Sequence, residues 1–277
     1  MKYNVFLHIV RQCLAIAAVA LVAATLAFAQ RDSKEVRGAA ERAREATTIF
    51  NEVMGDPDKA IPRNLLDTAE AIAIFPGVIN AAFIVGGRGG EGLIVRRTSN
   101  GWGAPAFFKI GGGSLGAQIG GEKIDYIMLI QNDGGLQGLL EDKFEFGGEV
   151  NIAAGPVGRE SSIATNTTLD AGILTYSRSK GLFAGIALKG AVISPDNDRN
   201  KAVYKLTARE ILAGNNATVA APDNVRVISA ALTKFSPRRG TRKLTGGSES
   251  APATRPRNAN TSTTETTTTT TTTTPNN

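Results

Sequence analysis

The chain has 277 residues, a net charge of +6, and a single cysteine and a single histidine. Both of these, Cys13 and His8, fall inside the first 29 residues, which read as an export signal: Lys2 and Arg11 supply the positive region, the stretch 14–26 is apolar, and Ala27-Phe28-Ala29 gives the small-x-small pattern before Gln30. Cleavage near Ala29 leaves a mature chain without thiol or imidazole, which excludes disulfides, cysteine nucleophiles, Cys/His zinc sites and imidazole catalysis.

The expected address is therefore periplasmic or secreted, with residues 30–236 forming one domain of ordinary size. Over 34–54 the apolar residues Val36, Ala39, Ala40, Ala43, Ala46, Phe50 and Val53 recur at the helical period, and Gly55 and Pro57 end the pattern. Pro62 opens a second expected helix whose stripe, Leu65, Leu66, Ala69, Ile72 and Ala73, runs to Pro76. Beyond it the pattern becomes extended: strands are expected at 81–85, 93–97, 106–110, 124–130, 173–176 and 182–188, joined by connections too short for repeated crossover helices. One short helix is expected near 135–142, and two more at 201–212 and 223–235. The expected fold class is α+β: a curved, mostly antiparallel sheet or partly closed barrel with flanking helices.

From residue 237 the composition shifts to proline, glycine, serine and threonine, ending in an unbroken threonine run over 266–274. Such a segment buries too little apolar surface to offset its ordering and is expected to be disordered. Its basic residues Arg238, Arg239, Arg242 and Lys243 are expected to make electrostatic contacts with an acidic surface.

Three motifs imitate chemistry. Gly87-Arg88-Gly89-Gly90-Glu91-Gly92 and Gly111-Gly112-Gly113-Ser114-Leu115-Gly116 both satisfy G-x-G-x-x-G, yet neither leads into a helix whose N-terminus would receive a pyrophosphate. They are read instead as tight turns and close backbone approaches in a curved sheet. Ser177-Arg178-Ser179-Lys180 matches S-x-x-K but lacks the companion elements of the penicillin-recognising enzymes and reads as a hairpin turn. The scattered acids define neither a carboxylate pair nor a metal site, although Asp125, between Ile124 and the apolar stretch 126–130, stands out. No catalytic, cofactor-binding or metal-ligating residue is assigned.

Several blocks together resemble the SYLF domain, a lipid-binding family whose eukaryotic members include actin regulators. They are the run from Ala71 through Phe75-Pro76-Gly77-Val78 to the glycine block at 86–92; Gly101-Trp102-Gly103-Ala104-Pro105-Ala106-Phe107-Phe108; Gly116-Ala117-Gln118-Ile119-Gly120; Asp125; Ala154-Gly155-Pro156-Val157-Gly158-Arg159; the segment 176–185; Asn200; and Tyr204. They occur in the family's order across 34–232. The resemblance implies a non-enzymatic domain binding anionic phospholipids through a basic amphipathic helix near its N-terminus, a role that falls on Arg37, Arg42 and Arg44. Arg178 and Lys180 are expected to stand exposed in a turn and to add to an anionic surface site. The expected partners are anionic phospholipids or another anionic surface of the cell envelope, not nucleic acid; the alternative is a structural or scaffolding envelope protein acting through protein contacts.

Overall fold

The computed structural model describes residues 33–82, 86–114, 120–141, 143–146, 150–158, 171–186, 188, 190–213 and 219–237. The expected export signal and the tail beyond Pro237, including Arg238, Arg239, Arg242 and Lys243, lie outside the described residues.

Helix α1 covers 33–55 and buries Ala39, Ala40, Ala43, Ala46, Phe50 and Val53, the stripe its sequence marks. A short α2, Arg63–Thr68, follows. Strands β1 (Ala71–Ala82), β2 (Gly86–Thr98), β3 (Gly101–Ser114) and β4 (Gly120–Ile130) are long, and α3 (Asp133–Leu139) leads to the short β5 (Phe144–Glu145) and β6 (Ile152–Ala154). Then come β7 (Ile173–Ser179), β8 (Leu182–Gly185) and β9 (Ala191–Pro195), with α4 (Asn197–Tyr204), α5 (Ala208–Leu212) and α6 (Asp223–Phe235) closing the domain. The strands form one strongly curled sheet in the order β5-β9-β3-β2-β1-β4-β7-β6, with β8 also on β7. All pairs are antiparallel except β6 with β7, so the α+β expectation holds.

Two expectations on elements are corrected. The second helix stops at Thr68, and Ile72 and Ala73 lie in β1, the centre of the sheet. Ala71, Ile72, Ala73, Ile74 and Phe75 are wholly buried because β1 is paired on both edges and covered on both faces. A strand of that kind loses the in-out alternation by which strands are recognised. The helix expected at 201–212 is two helices, because Lys205 adopts a left-handed conformation (φ 61°) and Thr207 with Glu210 builds a new capping box.

The curled sheet carries a core on each face. On one, Ile72, Ile74, Leu93, Phe107, Ile127 and Leu174 pack against α1, α2 and α6, with Phe50 and Phe235 edge to face at 5.6 Å. On the other, Phe75, Ile94, Phe108, Tyr126 and Met128 pack against α3 and α5. The first glycine block and residues 111–114 of the second lie within β2 and β3 rather than in turns, and some of their glycines mark close approach. A Cβ on Gly92 would stand 2.4 Å from the Ile74 carbonyl and the Phe75 ring, whereas one on Gly89 would meet nothing within 4 Å. Gly92→Ala is therefore expected to cost about 2 kcal/mol or more in denaturant unfolding, and Gly89→Ala no more than about 0.5 kcal/mol.

Candidate functional site

At Pro76-Gly77 strand β1 bulges: its register with β4 breaks between Phe75 and Val78. Gly77, at φ 56°, points its amide at Asp125 Oδ1, 2.8 Å away. Asp125, singled out in the sequence, thus anchors the bulge. Arg178 on β7, paired with Asp125 across β4, donates to the other carboxylate oxygen at 3.4 Å and reaches Glu52 of α1 at 2.5 Å.

The bulge and the last turns of α1 bound a groove of about 660 Å³, whose lining includes Arg42, Arg44, Thr48, Ile79, Lys123 and Arg178. Four cations (Arg42, Arg44, Lys123, Arg178) and four carboxylates (Glu41, Glu45, Glu52, Asp125) lie along it. The cations are unequally engaged. Arg42 pairs with Glu45 at 2.6 Å and Glu91 at 3.4 Å. Among the described residues Arg44 is exposed and bonds only the Ala40 carbonyl, and Lys123 is exposed with no ion pair.

Beside α1 the sheet floor is nearly bare. Gly111, Gly89, Ile79 and Lys123 stand in one row across β3, β2, β1 and β4, and Gly113, Gly87, Ala81 and Gly121 in the next. Ile79 is 52% exposed. This is a flat surface from which Ile79 and Lys123 alone project beyond a methyl group.

Of the residues expected from the sequence, the groove brings together Arg42, Arg44 and Arg178; Arg37, exposed on α1, and Lys180, exposed in the β7–β8 turn, are not among its lining residues. The expectation for Arg178 is corrected: it lies on the strand, on the same face as buried Tyr176, and its two carboxylates make it a tie between α1, β4 and β7. Lys123, Ile79 and Glu52 were not expected. The places of Lys123 and Ile79 depend on the bulge and on the cross-strand register.

A second cluster fastens the start of α1. Arg199 of α4 binds Glu35 of α1 at 3.1 Å and Glu91 of β2 at 2.8 Å, with Asp196 at 3.7 Å. The Arg199 hydrogen bond, aided by both guanidinium charges, holds the Glu91 carboxyl below its ordinary value of 4.5. A lowered folded-state value means that this contribution is complete above that ordinary value and disappears as pH falls through the lowered one. Acid unfolding of the wild type is therefore expected to include a loss below about pH 4.5 that Glu91→Gln flattens, as followed by circular dichroism from pH 7 to 3.

Residues 111–235 match the family described as Ysc84, Las17-binding protein actin regulator. The chain carries a Ysc84 (SYLF) family domain. It is 32% identical to LAS seventeen-binding protein 3 of Saccharomyces cerevisiae over 199 residues, 69% of this chain and 43% of the relative. It is 32% identical to human SH3 domain-containing YSC84-like protein 1 over 206 residues, 72% of this chain and 59% of the relative. An SH3 domain-containing protein of Schizosaccharomyces pombe is 35% identical over 181 residues, 63% of this chain and 42% of the relative. The chain thus spans about half the length of the curated relatives it matches.

Proposed function

We propose that this protein is a non-enzymatic, peripherally membrane-associated component of the cell envelope, and that the groove beside α1 receives the headgroup of an anionic phospholipid. The supporting observation is the pair of exposed cations, Arg44 and Lys123, without a carboxylate partner among the described residues, at a bare floor where Ile79 presents apolar surface. With four cations facing four carboxylates the attraction is local rather than net, and these two can meet a phosphate without breaking an ion pair. No helix among the described residues is long and apolar enough to cross a membrane, and peripheral contact needs none.

The test is co-sedimentation of the mature chain with phosphatidylglycerol vesicles against phosphatidylcholine vesicles. Selective pelleting with the anionic vesicles is expected, and equal, negligible pelleting with both overturns the reading. The basic tail adds a second, weak contact by avidity. Truncation after Pro237 is expected to leave the thermal midpoint unchanged and to weaken binding most at low salt; equal binding at low salt removes the tail from the scheme.

A protein partner is the second reading. Relatives carry Las17-binding and SH3 domain-containing in their names, and a flat glycine floor suits close approach of another backbone. Under that reading the same surface serves a scaffold, and vesicles do not compete with the partner.

A further inference from the structure

On the face of the sheet turned away from α1, Arg88 occupies an unusual position. It stands opposite Asn80 on β1 and Gly112 on β3, and its same-face neighbours along β2 are Gly86 and Gly90. Asn80 is therefore the one neighbour in this cross that carries a side chain. The Nε and Nη1 donors of Arg88 are shielded from solvent and bond nothing, and the Oδ1 of Asn80 is likewise shielded and bare. Asn80 is fixed from its other end, where Nδ2 donates to the Tyr126 hydroxyl at 3.1 Å. Glu122 lies on the far side of Asn80, two strand spacings or about 10 Å from Arg88, and already accepts from Ser179.

Folded proteins rarely leave buried guanidinium donors without acceptors, because each desolvated, unpaired group is costly. Here two donors and one acceptor are left open side by side, and Arg88 is half-buried, so solvent reaches the residue. Donors from a cation call for an oxyanion, and the neighbouring amide oxygen calls for a hydroxyl on it. We propose that Arg88 and Asn80 form a second anion site that binds a phosphate monoester, an anionic oxygen of the ester accepting from the Arg88 guanidinium and its P–OH donating to Asn80 Oδ1. The site is on the opposite face from the groove and does not depend on the reading given to it. Its ligand is either a soluble phosphate ester or the monoester headgroup of phosphatidate.

The experiment uses the full chain, with glycerol 1-phosphate and phosphatidate-containing phosphatidylcholine vesicles as probes. Binding is followed by calorimetry and by the 15Nε resonance of Arg88. The wild type is expected to bind at least one probe with a shift of that resonance. Arg88→Met is expected to weaken binding at least tenfold, Arg88→Lys to recover part of it, and Asn80→Ala to weaken it several-fold. The double variant Arg44→Glu with Lys123→Glu, which alters the other face, is expected to keep its response to glycerol 1-phosphate. A response to glycerol 1-phosphate identifies a soluble ester, and a response to the vesicles alone identifies the lipid headgroup; both support the site. An Arg88 resonance indifferent to both probes overturns it, as does wild-type affinity in a folded Arg88→Met. If Arg88→Met does not fold, the resonance and Asn80→Ala decide the matter.

Discussion

Replacing Arg97 with methionine is expected to lower the thermal midpoint by about 10 °C, corresponding to about 3 kcal/mol or more in a domain of this size. Arg97 is a buried cation on β2 that donates to the carbonyls of Ala69 at 3.0 Å, Leu66 at 2.9 Å and Pro237 at 3.2 Å, and to the Ser236 hydroxyl at 2.6 Å. Its guanidinium lies 4.1 Å from the centre of the Trp102 ring, and the indole donates to the Ser236 carbonyl at 2.9 Å. Methionine fills the space but strands these acceptors away from water. Cutting the chain after Phe235 removes Ser236 and Pro237 and is expected to lose a comparable amount, whereas cutting two residues later costs nothing. A thermal midpoint for Arg97→Met within 2 °C of the wild type, on the order expected of an exposed substitution, would show that water replaces the clasp.

The second large effect concerns binding. Arg44→Glu combined with Lys123→Glu is expected to weaken association with phosphatidylglycerol vesicles roughly a thousandfold at low ionic strength, given about 1 kcal/mol per basic residue near an anionic surface and a repulsion of similar size from each new carboxylate. The difference should shrink as salt shortens the screening length. Neither residue holds an ion pair among the described residues, so folding is expected to be intact. Arg178→Ala makes the instructive contrast: it leaves Glu52 and Asp125 without their shared cation and is expected to lower stability before it touches binding. Unchanged vesicle association in the Arg44/Lys123 double variant eliminates the groove as the lipid contact and favours the scaffold reading.

The legible parts of this sequence were those where one face meets water. The stripes of α1 and α6 announce themselves because polar residues fill the gaps between apolar ones. Strand β1 did not, since Ala71 to Phe75 is buried on both faces and its alternation is gone. Arg42 and Arg44 were reached through the family resemblance, which implies a basic amphipathic helix near the N-terminus. Lys123 and Ile79 could not be reached, because their prominence comes from glycines on other strands that enter the same rows only after the bulge sets the register. Arg178 carried a signal that was overlooked: it stands two residues from Tyr176, and in a strand that parity puts both on the face covered by α1. Arg88 sat inside a glycine block read partly as a turn, and only the paired strands reveal its bare neighbours.

The first and last helices seal the same core. Phe50 of α1 meets Phe235 of α6, and the clasp joins Arg97 to Ser236 across 139 residues of sequence. During synthesis the sheet face that α1 must cover stays incomplete until the residues around 235 have emerged, so no N-terminal portion can settle into its final packing ahead of the end of the domain. Such a chain is slow to commit. It is expected to lock only when its final helix is free to fold back.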